Sequence, residues 1–197
     1  MRKIISAVLV LAFGVLLHMS ARAEGNSCTD WSPSDAFNYS SVTGKTFFYK
    51  DDRDTKQKAF LVKGDVVAVR NIKTDFACAV YIGKTGIATI GWLEVKDLKD
   101  ARLTQKAEGK WKLLQGSTSV GLTVSKKPAL TLEGLANLNQ SNESYFSVPL
   151  KLEQNTWVAK DGSCSIALLY LNNFLMFRSA GSCPKLKTNF SGVYKRT

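Results

Sequence analysis

Of 197 residues, 45% are hydrophobic and 22% charged, with 27 Lys+Arg against 16 Asp+Glu for a formal net charge of +11. The single histidine, His18, sits inside a leader-like N-terminus. The rest of the chain therefore lacks the usual general base, the usual zinc ligand and the imidazole half of a Ser-His or Cys-His pair.

Arg2 and Lys3 precede the apolar run 4–17, and Ala21-Arg22-Ala23 puts small residues at both positions before a cut. This is the pattern of a cleaved secretory signal over residues 1–23, cut after Ala23. The run is shorter than the ~20 residues a spanning helix requires, and no later segment is apolar enough to cross a bilayer. Cys28 follows Asn26-Ser27, unlike a lipid-modified cysteine. The expectation is a periplasmic or secreted protein with no integral membrane association. The leader removes three basic residues and no acidic one, leaving 24 basic against 16 acidic, or +8. That excess reads either as a solvated surface or as attraction to an anionic cell-wall component or envelope protein. Nucleic acid is not expected. Export argues against it, and the close basic groups (Lys56-Gln57-Lys58, Lys126-Lys127, Lys185-Leu186-Lys187, Lys195-Arg196) do not interleave aromatics in sequence.

All four cysteines, Cys28, Cys78, Cys164 and Cys183, lie in the exported part. An even count in an oxidising compartment reads as disulfides. Three connectivities are possible; Cys28–Cys78 with Cys164–Cys183 keeps each bridge inside one domain. No C-x-x-C spacing supports a metal site.

In chain order, a polar lead rich in Ser, Asp and Asn comes first, with Pro33 breaking any helix and Trp31, Phe37 and Tyr39 expected to tuck against the first domain. Short β-rich runs then alternate with turns: "KTFFYK", the charged loop "DDRDTKQK", "AFLV", the turn Lys63-Gly64-Asp65, "VVAVRN", "FACAVYI", the turn "GKTG" and "IATIGWLEV". Runs spaced like this indicate a small all-β barrel over residues 24–100.

The stretch from Lys45 to Leu98 resembles the bacterial SH3-like (Src-homology-3-type) domain of exported and wall-associated proteins. The resemblance rests on Lys63-Gly64-Asp65 with Val67 and Val69, the hairpin from Phe76 to Ile90, and Gly91-Trp92 with Leu93 and Asp97-Leu98. It implies a five-stranded bent barrel whose last strand follows a short helical turn, and often peptide binding. Ligand-binding candidates are Tyr49, with Asp51 and Asp52 beside it in the loop, Tyr81 and Trp92. Alternation puts Trp92 opposite Leu93 and Val95. It is expected at the barrel edge, partly exposed, either touching a ligand or packing under the lead against Trp31 or Phe37.

Residues 101–108 read as a linker and 109–197 as a second antiparallel β domain, a meander or small barrel. "ANLNQSNES" reads as loop. "SCSIALLYLNNFLMFRSAGSC" is the clearest hairpin, turning at Asn172-Asn173, a pair able to adopt positive φ. The ending Phe190-x-Gly192-x-Tyr194-x-Arg196 resembles that of other small exported bacterial proteins, though Pro184 follows Cys183 where glycine is usual.

No catalytic residue emerges. The carboxylates sit in lysine-rich loops, Ser125-Lys126-Lys127 is not S-x-x-K, and Gly83-Lys84-Thr85-Gly86 lacks a phosphate-loop frame. The fold expectation is all-β with two small antiparallel domains, an SH3-like barrel followed by a β-meander or small barrel. The functional expectation is a non-enzymatic envelope binding protein without cofactor, recognising a wall peptide or an extended protein segment. The alternative is an inhibitor or immunity-type protein that docks a loop such as "DDRDTKQK" or "NLNQSNES" into a wall-degrading or toxic enzyme.

Overall fold

The computed structural model describes residues 27–30, 32, 35–103, 107–114, 119–126, 129–139, 142–186 and 188–197. The expected leader over 1–23, Trp31, and residues 104–106 of the expected linker lie outside the described residues. Among those described the chain is all-β, with one 3-10 turn. The first sheet comprises β1 (Asn38–Val42), β2 (Thr46–Tyr49), β3 (Lys56–Leu61), β4 (Val66–Lys73), β5 (Phe76–Ile82), β6 (Ala88–Glu94) and β7 (Leu98–Asp100). Their order is β3-β2-β6-β5-β4-β1-β7, all pairs antiparallel, and the 3-10 turn Val95–Asp97 leads from β6 into β7.

Two sequence expectations change here. The polar lead is not only a cover. Its Asn38–Val42 segment is β1, pairing with both β4 and β7, and its alternation was masked by small polar residues such as Ser40, buried at 7% exposure. The charged loop is also shorter than its composition suggests, because β3 begins at Lys56. Lys56, Lys58 and Phe60 then face outward while Leu61 enters the core, the period-2 pattern of a half-buried strand.

The second sheet comprises β8 (Gly109–Leu113), β9 (Ser119–Ser125), β10 (Thr131–Asn139), β11 (Asn142–Pro149), β12 (Lys151–Glu153), β13 (Thr156–Asp161), β14 (Cys164–Leu171), β15 (Phe174–Ala180) and β16 (Gly192–Arg196). Its order is β11-β10-β9-β8-β16-β15-β14-β13-β12. The two ends, β11 and β12, are separated only by Leu150, whose amide donates to the Leu130 carbonyl at 2.8 Å. The sheet therefore curls until its edges nearly meet, which leaves few open edges to template aggregation. The expected loop "ANLNQSNES" is mostly strand: pairing of Leu135 with Tyr145 and Ala136 with Ser144 carries the hairpin outward, and only residues 140 and 141 at its tip fall outside the described set. Asn172 and Asn173 make the β14–β15 turn with φ of 52° and 67°.

The interior of this barrel is filled by rings. Phe146 packs edge-on to Phe190 at 4.7 Å, with Phe177 beside both and Trp111 and Tyr194 fully enclosed. In β14, Ile166 and Leu168 face this core, whereas Ala167, Leu169 and Leu171 face the first sheet. The continuous apolar run "IALLYL" thus reflects burial on both faces. Phe174 and Met176 of β15 do the same, meeting Phe37, Tyr39 and Ile82 in an apolar core shared by the two halves. Polar bonds lock the seam. The Tyr39 hydroxyl donates to the Tyr170 carbonyl at 2.8 Å, and Asn172 Nδ2 donates to the Ile82 and Val66 carbonyls at 3.1 and 3.3 Å. Gly86, at φ +81°, touches the second half so closely that a β-carbon would lie 2.0 Å from Leu114 Cδ1.

The shared core predicts that the two halves unfold together. Phe37→Ala, at a fully buried ring in the seam, should cost about 3–5 kcal/mol. In urea, a single transition should shift to a lower midpoint, reported alike by Trp fluorescence and far-UV circular dichroism.

Candidate functional site

Two disulfides, Cys28–Cys78 and Cys164–Cys183, are formed, and such bridges belong to an oxidising, extracytoplasmic setting. The first builds the site. Cys78 on β5 pairs directly with Trp92 on β6, so the bridge lays the segment around Cys28 over the indole. Trp92 is consequently 2% exposed, packed with Cys28, Cys78 and Tyr49. Its face is the one that alternation requires, opposite Leu93 in the core of the first sheet. Its exposure is not, because the strap covers it.

Asp51 locks this arrangement. One oxygen, Oδ1, accepts from the Cys28 amide at 2.8 Å and from Trp92 Nε1 at 3.1 Å. Partial burial pushes the Asp51 carboxyl up, but the bonds from Cys28, Ser27 and Trp92 outweigh it and hold the group below its ordinary value. Asp52 works within the loop, accepting from the Asp54 and Thr55 amides and the Thr55 hydroxyl. These bonds hold its own carboxyl low, the Thr55 hydroxyl contributing most. Arg70, itself buried, anchors the strap from below, donating to the Cys28 carbonyl at 3.0 Å and to Asp35 at 2.6 Å. Gly91 explains the glycine before the tryptophan. A β-carbon there would lie 2.8 Å from the Tyr49 carbonyl oxygen, so only glycine lets β2 cross this closely.

The loop so fixed forms one wall of a groove of about 790 Å³. Arg53 and Asp54 stand on that wall, Thr74 and Asp75 on the β4–β5 turn, Glu94 at the end of β6, and Val95 and Lys96 on the helical turn. Tyr49 and Phe76 form the floor, their rings edge-to-face at 5.2 Å. A register shift between Phe47 and Tyr49 re-aims β2 at this point. The Tyr49 hydroxyl donates to Glu94 Oε1 at 2.7 Å, and Glu94 is also ion-paired with Lys96. The Glu94 carboxyl is held low by Lys96 first and Tyr49 second, while the bond to Glu94 raises the Tyr49 phenol. Both charge signs thus line an aromatic floor, a combination suited to an extended, polar, partly apolar ligand.

Of the five candidates, Tyr49 lines this groove. Trp92, Asp51 and Asp52 hold its wall in place. Tyr81 lies elsewhere, its hydroxyl 3.3 Å from Asp65 Oδ1 in a separate recess of about 280 Å³ with Lys84, Asn172 and Asn173. Sequence reasoning missed Arg53, Phe76, Glu94 and Lys96 as site residues: Arg53 lies in the β2–β3 loop, Phe76 opens β5, and Glu94 and Lys96 flank Val95 where β6 ends.

Removing the bridge with Cys28→Ser and Cys78→Ser together should cost about 2–5 kcal/mol and admit iodide to a tryptophan shielded in the parent. Asp51 supplies a pH test. A depressed folded pKa contributes stability above the ordinary value of 3.8 that is lost as pH falls through the folded value. Asp51→Asn should therefore be less stable at neutral pH and lose less of its remaining stability on acidification, read as urea midpoints at pH 6 and pH 3. No protein-family model matches the chain, and no curated protein or solved structure shows significant similarity to it.

Proposed function

We propose that the chain is exported by a signal cleaved after Ala23 and acts as a non-enzymatic binding protein of the bacterial envelope. In this reading the groove of the first barrel takes an extended cell-wall peptide or protein segment. The observation that carries it is the groove itself, an aromatic floor of Tyr49 and Phe76 between rims bearing Arg53, Lys56 and Lys96 and Asp54, Asp75 and Glu94. The walls are tied through Asp51 and a disulfide, so little conformational freedom is lost on binding. The resemblance of Lys45 to Leu98 to SH3-like domains, which often bind peptides, supports the same reading. The positive balance of the exported part suits anionic wall components and steers them without fixing specificity.

The inhibitor or immunity-type reading is favoured by one feature. Loop 50–55 is exposed yet internally bonded through Asp52, as a docking loop should be. It predicts a stoichiometric complex with a wall hydrolase and no affinity for the wall alone.

Co-sedimentation with purified peptidoglycan sacculi separates the two. The oxidised protein should pellet at low and at high salt, since recognition in a shaped groove outlasts charge screening. Phe76→Ala should reduce salt-resistant pelleting by about 10-fold or more. Pelleting lost entirely at high salt would reduce the interaction to charge, and absence of pelleting would exclude wall binding.

A further inference from the structure

Along β2 and β3 a second surface adjoins the groove. Phe47 and Phe60 are cross-strand partners with ring centroids 5.9 Å apart. Lys45 Nζ lies 5.2 Å from the Phe47 ring and 4.7 Å from the Phe60 ring. Lys56 Nζ lies 5.6 Å from Phe47 and 5.8 Å from Tyr49. Rings and ammonium groups therefore alternate in space, from Phe60 through Lys45, Phe47 and Lys56 to Tyr49 and the groove floor. Sequence spacing hides this, because the lysines and the rings they touch are drawn from both strands and the turn before them.

Among the described residues β3 is also the edge of its sheet. Half the backbone groups of an edge strand face outward without a neighbouring strand. Lysines on an edge discourage pairing between like copies, which accounts for Lys56 and Lys58. It does not account for Phe60 at 51% exposure on the same edge, nor for Val62 at 50% just past its end. No acidic residue lies in β2 or β3, and the carboxylate acting on Lys56 is Glu94, across the groove.

We propose that this strip is a docking surface for an extended acidic polypeptide segment, which adds as a strand along β3 and continues past Lys56 into the groove. Its carboxylates would meet Lys45, Lys56 and Lys58, and its apolar side chains would meet Phe60 and Phe47. The free edge selects a polypeptide. A phosphate-rich polymer or a lipid surface matches the lysines but supplies no N–H and C=O ladder for β3. The proposal rests on the groove reading, which it extends by naming the chemistry of the bound segment.

The test is fluorescence anisotropy on the oxidised protein with three labelled probes: a short peptide alternating Glu with Val and Phe, the same peptide with Lys for Glu, and a single-stranded DNA of similar charge. The acidic peptide should bind, with slowed amide exchange in β3, and the other two should bind about 10-fold more weakly or not at all. Phe60→Ala and Lys58→Glu, both at exposed side chains, should each weaken it about 10-fold, with near-UV circular dichroism unchanged. Binding abolished by Phe76→Ala but unaffected by both strip variants would overturn the strip and leave the groove standing. Equal binding of the DNA would overturn it in favour of charge alone. Failure of the acidic peptide to bind would overturn it as well, while salt-resistant pelleting with sacculi would still speak for the groove.

Discussion

A single carboxylate oxygen, Asp51 Oδ1, joins the three parts on which the site depends. It receives the amide of Cys28 in the strap, the indole of Trp92 on β6, and belongs to the loop that walls the groove. Each bond alone is modest. Their effect is large because the Cys28–Cys78 bridge ties the strap covalently to β5, so the amide has few other places to be. Arg70 closes the arrangement from beneath, the cost of a buried cation offset by Asp35 and the Cys28 carbonyl. The loop is consequently held in one position.

The second barrel gives this site a firm base. Its hairpin β14–β15 is apolar on both faces, one face filling its own barrel and the other the seam with Phe37, Tyr39 and Ile82. The Cys164–Cys183 bridge ties the open end of that hairpin, and the Asn172-Asn173 tip is bonded to carbonyls of β4 and β5. The barrel interior is occupied by Trp111, Phe146, Phe177, Phe190 and Tyr194. These rings close-pack the described interior of the barrel.

Much of the fold was legible because local rules carried it. Alternation separated Phe48 and Leu93 from Tyr49 and Trp92. Two asparagines marked a turn that needs positive φ, and the domain division selected the disulfide pairs that form. What was not legible depended on elements distant in sequence. Alternation gave Trp92 its face but could not show that the strap would cover that face. The groove draws Arg53 from the β2–β3 loop, Phe76 from the start of β5 and Lys96 from the helical turn, and no spacing rule links them. The β2–β3 surface stayed hidden for a related reason: reading Lys56 and Lys58 as loop residues removed them from the strand that sets Lys56 beside Phe47 and Tyr49. Composition described that segment correctly as charged, and pairing decided its geometry.

The most direct test of the central claim, that the groove on the first sheet is the recognition site, is an amide chemical-shift titration of the oxidised protein with a soluble wall stem peptide. Saturable shifts should concentrate at residues 50–56, 74–76 and 94–96, with the amides of β8–β16 unmoved. Shifts centred on the second barrel, or none at saturating peptide, would contradict the claim.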